Sequence, residues 1–348
     1  MRNRRSLSVI VIAALLGATT VACLEAWEAE HEEARDERTA VAGQTAALTG
    51  AAMNFVAAGL EGAQGLIKPD GGLRVRGFRV FAGRVAQYQG FEAVAWLPLV
   101  GARFRDGFER QVAPIKAPDP SGGLVRADDA RHYLPVRFVE GNVRARSVQG
   151  LDALSVPGLA EVAIAARDAG EPRLSRPIEV GQRPRMLVMF EPLYLPGRPI
   201  RTIGGRRLAL QGLVAGTLPT KLLAENLADQ VGDTAFAITD EGEPVVEAED
   251  GLADEASAPV DVAGRQWHVS VGGVAEPSLL PAAAIGGAGL ALTVLVAWIF
   301  ALATRRERDL EAGREAAERL AAREALLVRV GDSLERTISL EGRLDELA

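Results

Sequence analysis

The sequence predicts an α+β protein: a long helix leaving one membrane span, antiparallel sheet units between that span and a second one, and a coiled-coil helix beyond it. Three observations carry the prediction. Two uncharged apolar runs, residues 7–24 and 279–304, are each long enough to cross a bilayer at about 1.5 Å per helical residue. Residues 24–61 are rich in Ala, Glu and Gln, lack proline, and place Val41, Leu48, Ala52, Phe55 and Val56 near helical spacing. Between them and the second run lie short alternating segments punctuated by Gly and Pro, with a short helix for each group of strands, the pattern of helices packed on antiparallel sheet.

Length and charge bound the function. The 348 residues allow roughly two domains. A net charge of -7 argues against neutralising nucleic-acid phosphates, which needs a basic face. The single cysteine, Cys23, forbids an intrachain disulfide and a Cys-rich metal site.

The first apolar run follows Arg2, Arg4 and Arg5; retention as an anchor is the favoured reading, with a cleaved signal peptide or a lipoprotein signal at Cys23 as competitors. Arg305, Arg306 and Arg308 follow the second run. By the positive-inside rule both Arg clusters lie in the cytoplasm and the acidic flank from Glu25 to Glu33 lies outside. The expected order is a cytoplasmic start at 1–6, a first span at 7–24, a stalk helix at 25–65, sheet units at 66–200 and 201–278, a second span at 279–304 and a cytoplasmic coiled coil at 305–348. The protein is therefore expected in the inner (cell) membrane, with residues 25–278 periplasmic or extracellular and both termini cytoplasmic. Ala282 with Gly286, and Ala283 with Gly287, offer small-residue faces to another helix.

Taken in order, Gly59, Gly62, Gly65 and the Pro69–Gly72 turn end the stalk. Residues 73–90 read as a short helix and turn, and 91–100 as a buried strand with Pro98 at its edge. Residues 103–112 read as a helix with Phe104 and Phe108 on one face, and 117–131 as an exposed loop. Residues 133–140 alternate as a strand, Gly150, Leu151 and Asp152 mark a turn, and 159–169 form a helix closed by Gly170. Strands at 174–180 and 186–195 are joined by a turn containing Gly181, Arg183 and Pro184. A second unit follows: a strand at 211–218, a helix at 220–229, a strand at 234–239 and a hairpin over 258–272 turning at Ala263 and Gly264. The acidic run 240–255 lacks calcium-loop spacing and reads as solvated.

Six segments in register resemble the CHASE-domain family of extracytoplasmic sensors: AWLPLV at 95–100 with Arg103 and Phe104, YLPV at 133–136, GLD at 150–152, ARDAG at 166–170, LSRP at 174–177, and Phe190 with Pro192, Leu193 and Tyr194. The resemblance covers about residues 80–200. It implies two PAS-like subdomains, the membrane-distal one at 66–200 binding a small-molecule ligand and the membrane-proximal one at 201–278 transmitting; plant members bind cytokinins. Carried across, the family's ligand-facing hydroxyl matches Ser175 and its acidic ligand-binding residue falls nearest Glu140. Phe138 and Leu174, with Met186 and Val188, are the apolar neighbours that exclude water. Asp152 is a further ligand candidate, while a competing reading has Asp152 and Ser175 bonding local backbone in turns. Trp96, Phe104, Phe138 and Phe190 read as core before pocket wall.

Enzyme chemistry is not expected. His31, His132 and His268 fit no metal spacing, and neither a nucleophile elbow nor a phosphate-binding loop occurs. No cofactor is implied. In the tail, Leu320, Leu327 and Leu334 repeat every seven residues, the mark of a parallel coiled coil and hence a homodimer. Only 44 residues follow Thr304, too few for a kinase or cyclase, so the expected output sits on a partner or in a longer reading frame. The alternative is a membrane-anchored scaffolding protein without a ligand.

Overall fold

Helix α1 spans Arg2–Glu61 and passes into a 3-10 turn, Gly62–Leu66. The computed structural model describes residues 2–141, 147–179, 184–232, 234–247, 252, 256–272 and 277–345. The chain forms two units, residues 1–32 with 277–348 and residues 33–276, each taken by itself here. Within the second unit the buried seam of α1 runs Ala42, Thr45, Ala46, Thr49, Met53, Val56 and Leu60, the three- and four-residue steps of one helix face. Phe55, expected on that face, is exposed because the seam runs through its neighbour Val56. Thr45 and Thr49 return their hydroxyls to the carbonyls of Val41 and Thr45, so neither brings a stray donor into the packing.

The elements that follow are α2 (Val75–Tyr88), β1 (Ala93–Pro98), β2 (Val100–Gly101), α3 (Arg105–Gln111), β3 (Lys116–Pro118), β4 (Leu124–Arg126), β5 (His132–Tyr133) and β6 (Phe138–Gly141). Next come α4 (Leu159–Ala169), β7 (Arg173–Leu174), β8 (Met186–Tyr194), α5 (Ile203–Ala209) and β9 (Leu210–Pro219). Then follow α6 (Thr220–Val231), β10 (Ala235–Asp240), β11 (Glu243–Val246), β12 (Ala256–Val262), β13 (Arg265–Gly272) and α7 (Leu280–Asp345). The first sheet runs β6-β1-β9-β8-β7 and the second β11-β10-β13-β12, with antiparallel pairing throughout. In both, the first strand in chain order lies between the second and the last.

Local chemistry accounts for several departures from the sequence reading. The strand expected over 133–140 is divided into β5 and β6, and Pro135 between them has no N–H to give a ladder. Of the strand expected over 174–180, the described residues form only the end of β7 (Arg173–Leu174) and an isolated bridge from Ile178 to Met186; Pro177 again lacks a donor, and the expected turn at Gly181 and Arg183 lies outside the described residues. The loop expected over 117–131 contains the β3–β4 hairpin, whose turn is held by Asp119 accepting from the N–H groups of Ser121 and Gly123. The acidic run expected as solvated begins with a buried residue: Asp240 pairs with Arg265 of β13, with Nη2 to Oδ1 at 2.9 Å, and β11 follows. Residues 248–251 and 253–255 of that run lie outside the described residues. Helix α3 starts after Phe104, so Phe108 is buried while Phe104 is exposed beneath Arg103.

One core joins both sheets to the stalk. Met53, Val56 and Leu60 of α1 and Phe78 and Ala82 of α2 pack with Val94, Trp96, Leu187 and Met189 of the first sheet and Ile238, Trp267 and Val269 of the second. The opposite face of the first sheet has its own core beneath α4. Sheet one is thus buried on both faces, and all nine positions of β8 are buried.

In the other unit, α7 lies against the first part of α1 through small residues. A Cβ on Gly289 would stand 2.2 Å from Thr19 Cγ2, and one on Gly286 would stand 3.3 Å from Cys23 Sγ. The Cys23 thiol donates to the Ala282 carbonyl at 3.4 Å. The Ala282 and Gly286 face is therefore taken by the chain's own first span, whereas Gly287 has nothing near it. Both helices are long and apolar enough to cross a membrane. The side chains of Leu327 and Leu334, on which the coiled-coil expectation rests, lie outside the described residues.

Candidate ligand-binding site

A cavity of about 80 Å³ lies between the first sheet and the segment that leads into α4. Its floor is Ala93, Ala95 and Leu97 of β1, Val139 of β6, Met186, Val188 and Phe190 of β8, and Ala215 and Thr217 of β9. Its roof is Val136, Val148, Leu151, Ala153, Leu159 and Ile178. The space exists because Ala93, Ala95, Ala153 and Ala215 stop at Cβ where a larger side chain would fill it; protein interiors otherwise close-pack.

Helix α4 is tied down over this space. The Tyr194 hydroxyl donates to the Arg167 carbonyl at 2.6 Å, and burial pushes its pKa up to about 12, so it stays a donor. Arg206 donates to the Asp168 carbonyl at 2.7 Å. The hydrogen bonds from Arg207 and then Arg167 hold the Asp168 carboxyl well below the usual range.

Of the five residues selected from the sequence, none lines the cavity. Glu140 stands opposite Val94 and Phe138 opposite Trp96, so the pleat turns both to the α2 side of the sheet. Glu140 there meets Arg79 at 3.5 Å, an ion pair that is largely solvated. Leu174 stands opposite Met189 and packs in the core shared with the stalk. Asp152 is buried and accepts from the N–H groups of Leu134 (2.7 Å) and Leu154 (3.2 Å); burial raises its pKa against the pull of those two bonds and of Arg105. Ser175 is fully buried, and its Oγ accepts from Val188 N–H at 2.9 Å. For three of the five the chain neighbours line the cavity: Val139 lies between Phe138 and Glu140, and Leu151 and Ala153 flank Asp152, whereas no neighbour of Leu174 or Ser175 does. Met186, Val188 and Phe190, taken as apolar neighbours or core, do line the cavity. The cavity alanines were passed over; Ala93 and Ala95, two apart in an otherwise bulky strand, were the available signal.

Segment 173–178 touches both sheets. Ile178 is cavity wall, Ser175 holds cavity residue Val188, Leu174 N–H donates at 3.2 Å to the Ala263 carbonyl in the β12–β13 turn, and Arg176 pairs with Glu241 in the β10–β11 turn.

Beneath the other face, Glu191 of β8 shares its side with Met189 and Leu193, and its Oε2 has no hydrogen-bond partner among the described residues. Burial, helped by Glu61 at the end of α1, pushes its pKa up to about 8.

The domain is two antiparallel sheets on a long helix, the first with a cavity between it and the segment leading into α4. The CHASE-domain model matches residues 73–249, just over half of the chain, and the chain belongs to that family, whose domains are extracellular sensors and not catalysts. Solved structures with a similar fold include the ligand-binding domain of the Pseudomonas aeruginosa amino-acid chemoreceptor PctC in complex with GABA (15% identity, 68% of this chain and 98% of that one, TM-score 0.40). The periplasmic sensory domain of the Campylobacter jejuni chemoreceptor Tlp1 aligns at 11% identity over 70% of this chain and 95% of that one, TM-score 0.44. The Campylobacter jejuni Tlp3 domain with L-norvaline aligns at 9% identity over 71% and 92%, TM-score 0.38. No curated protein matches in sequence.

Proposed function

We propose that this chain is a membrane receptor subunit that binds a small molecule in the cavity of its first sheet, on the extracytoplasmic side, and signals through the α7 tail. One observation carries the reading: within the CHASE match, and on the sheet that also packs on the stalk, the fold leaves an apolar pocket where alanines stand in place of larger core residues. The strand expected over 211–218 in the second unit is β9, which lies between β1 and β8 in the first sheet and lines the cavity, so the ligand-binding subdomain runs on to residue 219 and residues 220–278 are the transmitting one. Ser175 and Asp152 position the cavity walls instead of touching ligand, and Glu140, Phe138 and Leu174 brace the far face. Segment 173–178 is a packed route from the cavity to the second sheet; a ligand acts through it only by binding one arrangement better than the other. The arginines flanking the two apolar helices support cytoplasmic termini. The seven-residue leucine repeat supports a homodimer that engages a cytoplasmic kinase or cyclase.

The test is a thermal-shift screen of small molecules on the full chain in lipid nanodiscs, repeated with Ala215→Leu, which fills the cavity. Stabilising molecules should lose their effect in that variant. Hits that survive the filling would sink the site, and a screen without hits would favour a ligand-free scaffold.

A further inference from the structure

Among the described residues, the cavity wall contains no charge. Of the described residues that line it, Thr217 alone carries a hydrogen-bonding side chain, and its hydroxyl lies 3.4 Å from the Ala93 carbonyl. The strand backbone around it is committed to the ladders of β1, β6, β8 and β9. The polar side chains nearest in sequence are occupied as well: Asp152 by two amides and Ser175 by Val188, while Glu140 lies across the sheet with Arg79. An ammonium or carboxylate seated against these described walls would gain no side-chain partner from them, and the cost of removing its water would go unreturned. An apolar molecule meets the opposite balance, because empty apolar cavities stay dry and accept xenon or benzene when about 150 Å³ in volume. At about 80 Å³ this cavity is smaller, which favours a short hydrocarbon skeleton.

Resting on the sensor reading above, we infer that the ligand this cavity takes is a small, uncharged apolar molecule, or the short apolar end of a neutral one, and not a zwitterionic amino acid.

Methionine supplies a local probe. The chain has four methionines; Met186 lines the cavity, while Met189 and Met53 lie in the core on the other side of the sheet. The experiment is a titration of the full chain in nanodiscs, labelled with methyl-13C methionine, with pentane, and separately with norvaline, which has the same carbon skeleton but carries a zwitterion. Met186→Leu assigns the signal. Pentane should shift the Met186 methyl saturably while norvaline leaves it in place, and the shift should vanish in Ala95→Leu or, should that variant misfold, in Ala215→Val. A Met186 shift with norvaline and none with pentane would overturn the apolar class while leaving the cavity as the sensor's site. No saturable Met186 shift with pentane also overturns it. A molecule from the thermal screen that stabilises the wild type and the filled variants equally would instead overturn the sensor site itself.

Discussion

Glu191→Gln tests the packing of the sheet on the stalk. Glu191 is buried on the face shared with Met189 and Leu193, near Glu61, and holds its proton up to about pH 8 instead of the ordinary 4.5. Between those two values the unfolded chain releases the proton and the folded chain keeps it. The folded state therefore binds more protons, and stability falls as pH rises. Below pH 4.5 both states are protonated and the group is silent; above pH 8 both are ionised and the deficit levels off. At about 1.4 kcal/mol per pH unit, the full deficit is about 5 kcal/mol, of which roughly 3 to 4 kcal/mol develops between pH 5 and pH 8. Glutamine keeps the shape and cannot ionise. Urea unfolding of the full chain in nanodiscs, followed by tryptophan fluorescence with Trp96 and Trp267 as core reporters, should show the variant gaining stability over wild type by about that 3 to 4 kcal/mol between pH 5 and pH 8. Parallel stability curves for the two proteins would refute the reasoning, since they would mean that Glu191 ionises in the fold as it does in water.

Three further outcomes follow from the same geometry. Ser175→Ala leaves the buried Val188 N–H without its Oγ acceptor and should cost about 1 to 3 kcal/mol; if Ser175 instead touches ligand, binding will fall with stability unchanged. Asp152→Ala strands two amides and should cost more than Asp152→Asn, which keeps an acceptor, by about 1 to 3 kcal/mol in the same urea assay. Gly286→Cys places a thiol beside Cys23, at a separation close to disulfide geometry. Mild oxidation should then form an intrachain bond, seen as a mobility change on a non-reducing gel, and dimers without that intrachain product would contradict the pairing of α1 with α7.

Much of this was legible in the residues. The two uncharged runs, the proline-free stalk and the β8, β9, β12 and β13 segments follow from composition and alternation, because span length, helix propensity and strand period are local properties. The prolines at 135 and 177 shortened strands in the way their missing donors require, and could have been weighed more heavily. Facing was harder. In a half-exposed strand the polar side names the outside, but β8 is buried at every position and most of β1 is as well, so alternation shows two faces without saying which holds the cavity.

The sequence by itself determined the two apolar runs, the family and most strand and helix segments, since each is written in contiguous residues. Only the tertiary structure decided that Glu140 looks toward α2 while Val139 beside it looks into the cavity, and that Asp152 and Ser175 are spent on amides of Leu134 and Val188. It also decided that alanines from three distant segments, Ala93 with Ala95, Ala153 and Ala215, face one space. The reason is the pleat: one residue of register moves a side chain through the sheet, and register is settled by partners elsewhere in the chain.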